Sequence, residues 1–159
     1  MSKSLNTLPE SVTRLPELNV VVFALLLNFP WEILQAPLFE QMADAPHWEA
    51  IKTCSRATLG DAAIMLAAYW AVAATRGNRN WIARPDTASV LLFAALGELT
   101  TAIIERLAMA GFWLESWTYS AAMPTLPGIG VGLSPLLQWL VLPLLVVWFV
   151  KRQIRTGAT

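Results

Sequence analysis

The chain has 159 residues, 56% of them hydrophobic and 14% charged, with eight Trp and a mean hydropathy of +0.52, a composition suited to a bilayer rather than to water. Eleven Lys and Arg balance eleven Asp and Glu, so no basic field exists to attract nucleic acid and no motif reads it. The single cysteine, Cys54, excludes an intramolecular disulfide, a CxxC redox pair and a thiolate zinc site, and is read as an inert thiol.

The N-terminal stretch MSKSLNTLPESVTRLPE lacks the short apolar core and cleavage site of a signal peptide, so the first apolar run is expected to remain as a membrane helix. A hydrocarbon core about 30 Å thick takes roughly 20 apolar residues per helix, and the segments 18–39, 56–75, 88–109 and 134–150 come close. Short connections and the lack of an internal repeat predict one membrane domain over 1–159, an all-α, polytopic four-transmembrane-helix bundle.

In the first span Asn28, Glu32 and Gln35 fall at i, i+4 and i+7 and share a face, with Trp31 beside them. Pro30 and Pro37 are expected to kink it, as Pro143 kinks the fourth. The loop 40–55 contains DAPHWE, whose Asp44, His47 and Glu49 read as solvated rather than metal-binding. A di-metal carboxylate centre would need Glu-x-x-His pairs, and the chain has one His; no metal and no cofactor is expected. The second span shows a stripe of Thr58, Asp61, Met65 and Tyr69. Asp86 after Pro85 reads as the cap of the third span, which carries Glu98, Thr101 and Glu105 on one face.

The long connection 110–133 contains Trp113, Trp117 and Tyr119 and ends in the glycine-rich PGIGVGL. Ser134 followed by Pro135 reads as a helix cap with the favoured first-turn proline. From Pro135 to Val150 the helix would be roughly 24 Å long, short of the bilayer, so the glycine-rich segment is expected to dip into the membrane as a short re-entrant stretch. The fourth span contributes Ser134 and Gln138, with Trp139 alongside.

Lys3, Arg14, Arg76, Arg79, Arg84, Lys151, Arg152 and Arg155 fall on one side of this map, eight of the eleven cations. The positive-inside rule then puts both termini in the cytoplasm, and the expected location is the bacterial inner (plasma) membrane. In that orientation the polar stripes converge in the outer half of the bilayer, above an apolar plug on the cytoplasmic side. Intramembrane ionisable residues are functional-site candidates, so Glu32, Asp61, Glu98 and Glu105 are the expected catalytic acids. Asn28, Trp31, Gln35, Tyr69, Arg106, Trp117, Tyr119, Ser134, Gln138 and Trp139 are the expected ligand contacts. The structural alternative makes the acids ion-pair partners of Arg56 and Arg106.

The string Asn28-Phe29-Pro30-Trp31-Glu32 resembles, over five residues, the N-x-x-W-E acidic motif of fungal integral-membrane meroterpenoid cyclases. The resemblance implies an intramembrane carboxylate that protonates an isoprenoid, although that family has more spans than this chain supplies. The expected function is binding of, or acid-base chemistry on, a lipid-soluble, isoprenoid-like molecule, with a buried carboxyl giving the proton and Trp faces steadying a developing cation. A proton-coupled small-molecule carrier and an accessory subunit of a larger membrane complex are the alternatives. Expected partners are a membrane lipid or lipid-soluble small molecule, with a homo-oligomer or a larger complex left open.

Overall fold

A computed structural model of the chain describes residues 14–113 and 116–156. Four helices carry it: α1 (Pro16–Gln35), α2 (His47–Arg76), α3 (Thr87–Met109) and α4 (Leu133–Thr156). Each is long and apolar enough to cross a membrane, and among the described residues there is no β-strand beyond two isolated bridges. The helices close into a ring, α1 against α2 and α4, and α3 against the same two. Alternating directions put Arg14, the 77–86 turn and the end of α4 at one end of the bundle, here the termini end. The 36–46 and 110–132 connections share the other, the loop end.

The helix limits follow local chemistry. Pro16 occupies the first turn of α1, where its missing N–H costs nothing. The other end stops at Gln35, and Pro37 lies in a 3-10 turn, Ala36–Leu38, rather than kinking a continuing helix as expected. A residue without an N–H cannot extend the α ladder, and the tighter turn takes over. Pro30 and Pro143 do lie inside their helices. α2 begins nine residues earlier than hydropathy alone predicts, because Pro46 turns the chain, Glu49 occupies the first turn and Lys52 pairs with it at 2.7 Å. Its 30 residues measure roughly 45 Å, well beyond the hydrocarbon thickness. It stops at Gly77, whose φ of 58° is open to glycine at no steric cost. α3 starts on Asp86 as expected, its carboxylate accepting from the Ser89 amide at 3.0 Å and the Ser89 hydroxyl at 2.7 Å.

The fourth helix departs from the sequence reading. It runs for 24 residues from Leu133, roughly 36 Å, so no short span needs filling from outside. Residues 124–133 form a turn closed on its own backbone, with Gly130 N donating to Leu126 O at 2.9 Å, Leu126 N to Val131 O at 2.8 Å and Leu133 N to Pro124 O at 2.8 Å. Arg106 Nη1 donates to Ile129 O at 2.7 Å. Ser134 is not the cap. Its hydroxyl donates instead to Gln35 Oε1 of α1 at 2.9 Å.

The termini half is a packed apolar core. Val20, Ala24, Met65, Tyr69, Val72, Ile82, Phe93, Val146 and Val150 are fully buried, and Trp81 stacks on Tyr69 and meets Phe93 at centroid distances of 5.9 and 5.7 Å. Arg79 clamps Glu17 across the bundle's end at 2.5 and 3.0 Å. Towards mid-bundle Gly97 lets the indole of Trp139 lie directly on α3. At the loop end the chain crosses itself once. Glu40 N donates to Thr118 O at 3.0 Å and Ser120 N to Leu38 O at 2.9 Å, a two-residue antiparallel bridge between Phe39 and Tyr119.

Candidate functional site

Polar side chains in an apolar bundle must find one another, because lipid offers no partners. Three of the four helices send an amide or an acid to one point. Gln138 of α4 places its Nε2 2.8 Å from Asn28 Oδ1, 3.1 Å from Glu32 Oε1 and 2.8 Å from Asp61 Oδ2. Gln35 Nε2 donates to Glu32 Oε1 at 2.8 Å and to Gln138 Oε1 at 3.2 Å. The helical period of α1 puts Asn28, Glu32 and Gln35 on this face, and each is more than nine-tenths buried. Glu32 and Asp61 thus accept from the same nitrogen, Gln138 Nε2, which brings the two carboxyl groups together. Neither carboxylate has a hydrogen to give, so the amides supply the hydrogens at this point.

Above this cluster, toward the loop end, is a cavity of about 720 Å³. Glu32, Asp61, Gln35 and Gln138 form its floor. One wall is a face of α2, Thr53, Ala57, Gly60 and Ile64; another is α3 with Thr101, Ile104 and Glu105; Phe39, Met42, Trp113 and Trp117 lie on the loop side. Gly60 has nothing within 4 Å of where a Cβ would stand, so this wall is set back and leaves open space in front of α2.

Glu105 holds the roof. Its Oε2 accepts from Trp117 Nε1 at 3.1 Å and from the Tyr119 hydroxyl, whose oxygen in turn accepts from Gly132 N at 3.0 Å. Phe39 packs on the rings of Trp117 and Tyr119 at 6.5 and 5.6 Å. Burial first, and the Glu105 carboxylate second, push the Tyr119 phenol above its ordinary value, so it remains a donor at neutral pH.

The expected site residues divide accordingly. Glu32, Asp61, Glu105, Gln35, Trp117 and Gln138 line the cavity; Asn28 and Ser134 support it from behind, through Gln138 and Gln35. Tyr119 acts on it through Glu105. Five others lie elsewhere. Tyr69 is fully buried in the termini half, its hydroxyl on Glu17 and the Arg79 carbonyl. Trp139 is buried against Gly97, and the indole N–H groups of both Trp31 and Trp139 are buried without a partner. Glu98 does not reach the cavity, and its Oε2 is likewise unpartnered. Arg106 lies in a separate groove with Gly128 and Ile129, so it pairs with none of the acids. Among the described residues no ion pair involves Glu32, Asp61, Glu98 or Glu105.

The sequence reading did not include the α2 wall or Phe39 in the site. The wall had a signal, small or β-branched residues at helical spacing on the Asp61 side; the contact of Phe39 with Tyr119 had none. Cys54 also lines the cavity, donating its thiol hydrogen to the Glu32 carbonyl at 3.6 Å. The chain matches no family model, no curated protein and no solved structure.

Proposed function

We propose that this is an integral membrane protein that binds, or acts by acid-base chemistry on, a lipid-soluble molecule held above the Glu32–Asp61 pair. The observation that carries the reading is a cavity of about 720 Å³ with apolar walls and, on its floor, two carboxyls that accept from the same Gln138 amide nitrogen. Two neighbouring acids, one protonated and one not, would supply a donor and an acceptor side by side, which suits proton delivery to an alkene, epoxide or carbonyl. In the membrane the cavity would occupy the half of the bilayer beneath the loop end, the outer half if both termini are cytoplasmic.

The carrier reading needs a route through the termini half, where Val20, Tyr69, Phe93 and Val146 leave no exposed surface. The accessory-subunit reading would use the polar stripes on outer faces, whereas Asn28, Gln35 and Gln138 are satisfied within the chain.

The test is Glu32→Gln, which keeps shape and hydrogen bonding but cannot move the proton. Native mass spectrometry of gently extracted wild-type protein is expected to show a retained lipid-soluble molecule at near unit stoichiometry. Glu32→Gln should still insert and melt normally, while conversion of that molecule falls by a factor on the order of 10². Wild-type protein that carries nothing beyond bulk phospholipid would refute the reading.

A further inference from the structure

Four acids, Glu32, Glu49, Asp61 and Glu105, line the cavity; Glu49 pairs with Lys52, whereas the described partners of the other three side chains are neutral: two amides, an indole and a phenol. The floor is also short of hydrogens. The two N–H groups of Gln138 face three acceptors and those of Gln35 face two, so five acceptor contacts share four hydrogens. An independent observation comes from α3. Thr101 lines the cavity and is more than nine-tenths buried, yet its hydroxyl has no partner, a state that natural interiors seldom tolerate unless something else supplies the bond. The aromatic residues Phe39, Trp113 and Trp117 complete the loop side.

We propose that the polar end of the bound molecule is a protonated primary amine, which makes the ligand a long-chain amine with its tail in the seam between α2 and α3. This rests on the reading that the cavity takes a lipid-soluble molecule. The ammonium group supplies the hydrogens that Glu32 and Asp61 lack and offsets the carboxylate charge on the floor. Its third N–H is available to the Thr101 oxygen. The tail meets Ala57, Gly60, Ile64 and Ile104. Arg56 also lines the cavity but is exposed, as expected of a cation at the rim.

The test uses the full chain in phosphatidylcholine nanodiscs and three probes of equal chain length: dodecylamine, dodecanol and dodecyltrimethylammonium. Binding is followed by tryptophan fluorescence, to which Trp113 and Trp117 contribute from the cavity. Dodecylamine is expected to bind saturably and roughly tenfold or more tighter than dodecanol, since its hydrogen bonds are charge-assisted. The quaternary probe, with charge but no N–H, should bind more weakly than the amine. Asp61→Asn should remove most of the amine's advantage while weakening dodecanol far less, with thermal unfolding of the variant certifying that it is folded. Should that variant not insert, Thr101→Val is expected to weaken the amine severalfold with little effect on the quaternary probe. Dodecanol binding as tightly as dodecylamine would overturn the ammonium assignment while sparing the cavity reading. A quaternary probe equal to the amine would overturn it too. No saturable binding of any probe would overturn both.

Discussion

Gly97→Ala tests the contact that sets the floor of the cavity. An added Cβ would stand 2.0 Å from Cζ3 and 2.2 Å from Cε3 of Trp139, against an ordinary carbon contact of about 3.5–4.0 Å. The indole is fully buried, so α3 and α4 must separate by on the order of 1.5 Å to admit it. Overpacking of this kind costs about 1–3 kcal/mol, and a displacement larger than a bond length belongs at the upper end. Alanine's better helix propensity offsets about 1 kcal/mol, which leaves a net loss of about 2 kcal/mol. At about 2–4 °C per kcal/mol for a chain of this size, the melting temperature should fall by about 4–8 °C. Gln138 is the next residue along α4, so the same shift should loosen its bonds to Asn28, Glu32 and Asp61. The assay is thermal unfolding of purified protein in a fixed lipid-detergent mixture, with Trp139→Leu and the double variant alongside. Because the Trp139 N–H has no partner, the leucine change removes volume without orphaning a hydrogen bond. The alanine methyl then enters the vacated space, and the two losses should add to less than their sum by about 1 kcal/mol or more. Gly97→Ala protein that melts at or above the wild-type temperature would refute the packing argument.

Three further outcomes are expected. Tyr119→Phe removes the donor to Glu105 and the acceptor for Gly132 N, and should cost about 1–3 kcal/mol while speeding proteolysis of the 116–123 segment; unchanged melting and cleavage would contradict the part given to Tyr119 in the roof. Gly60→Ala, in open space mid-helix, should raise stability by about 0.5–1 kcal/mol, whereas Gly60→Phe should insert normally but abolish retention of any cavity ligand in native mass spectra, and ligand retained at wild-type level would show the seam is not its berth. The Ser89 hydroxyl, and then its amide, hold the Asp86 carboxyl below the ordinary aspartate value, so its contribution is present above that value and fades as pH falls through the lowered one. Asp86→Ala should therefore melt below wild type at neutral pH, with the gap closing in acid; a gap constant across the acid range would count against the cap.

Much of the bundle is written in hydropathy, since four apolar runs of the right length have few soluble alternatives. The convergence of Asn28, Glu32, Gln35, Asp61 and Gln138 was legible too, because a polar side chain in lipid must turn inward and the helical period says which residues turn together. Periodicity gives a face but not a depth. Tyr69 shares the stripe of Asp61 yet lies eight residues along it, roughly 12 Å by helical rise, which carries it into the apolar half. Sequence neighbours mislead in the other direction. Arg106, Trp31 and Trp139 each adjoin a residue of the floor or roof, but one step along a helix is about 100° of rotation and turns the side chain away. The early turns of α2 are charged and amphipathic, so a hydropathy reading passes over them. The roof depends on Phe39 meeting Tyr119, eighty residues apart, and no local pattern announces such a pairing.

The sealed termini half makes the cavity a cul-de-sac. Whatever occupies it arrives and departs through the same loop-end half, so two successive occupants exclude one another. Under the proposed function, product inhibition should therefore be competitive, and turnover should depend on how fast the occupant exchanges with the surrounding leaflet. No charge has to cross the full thickness of the bilayer during such a cycle, so a transmembrane voltage performs little work on it.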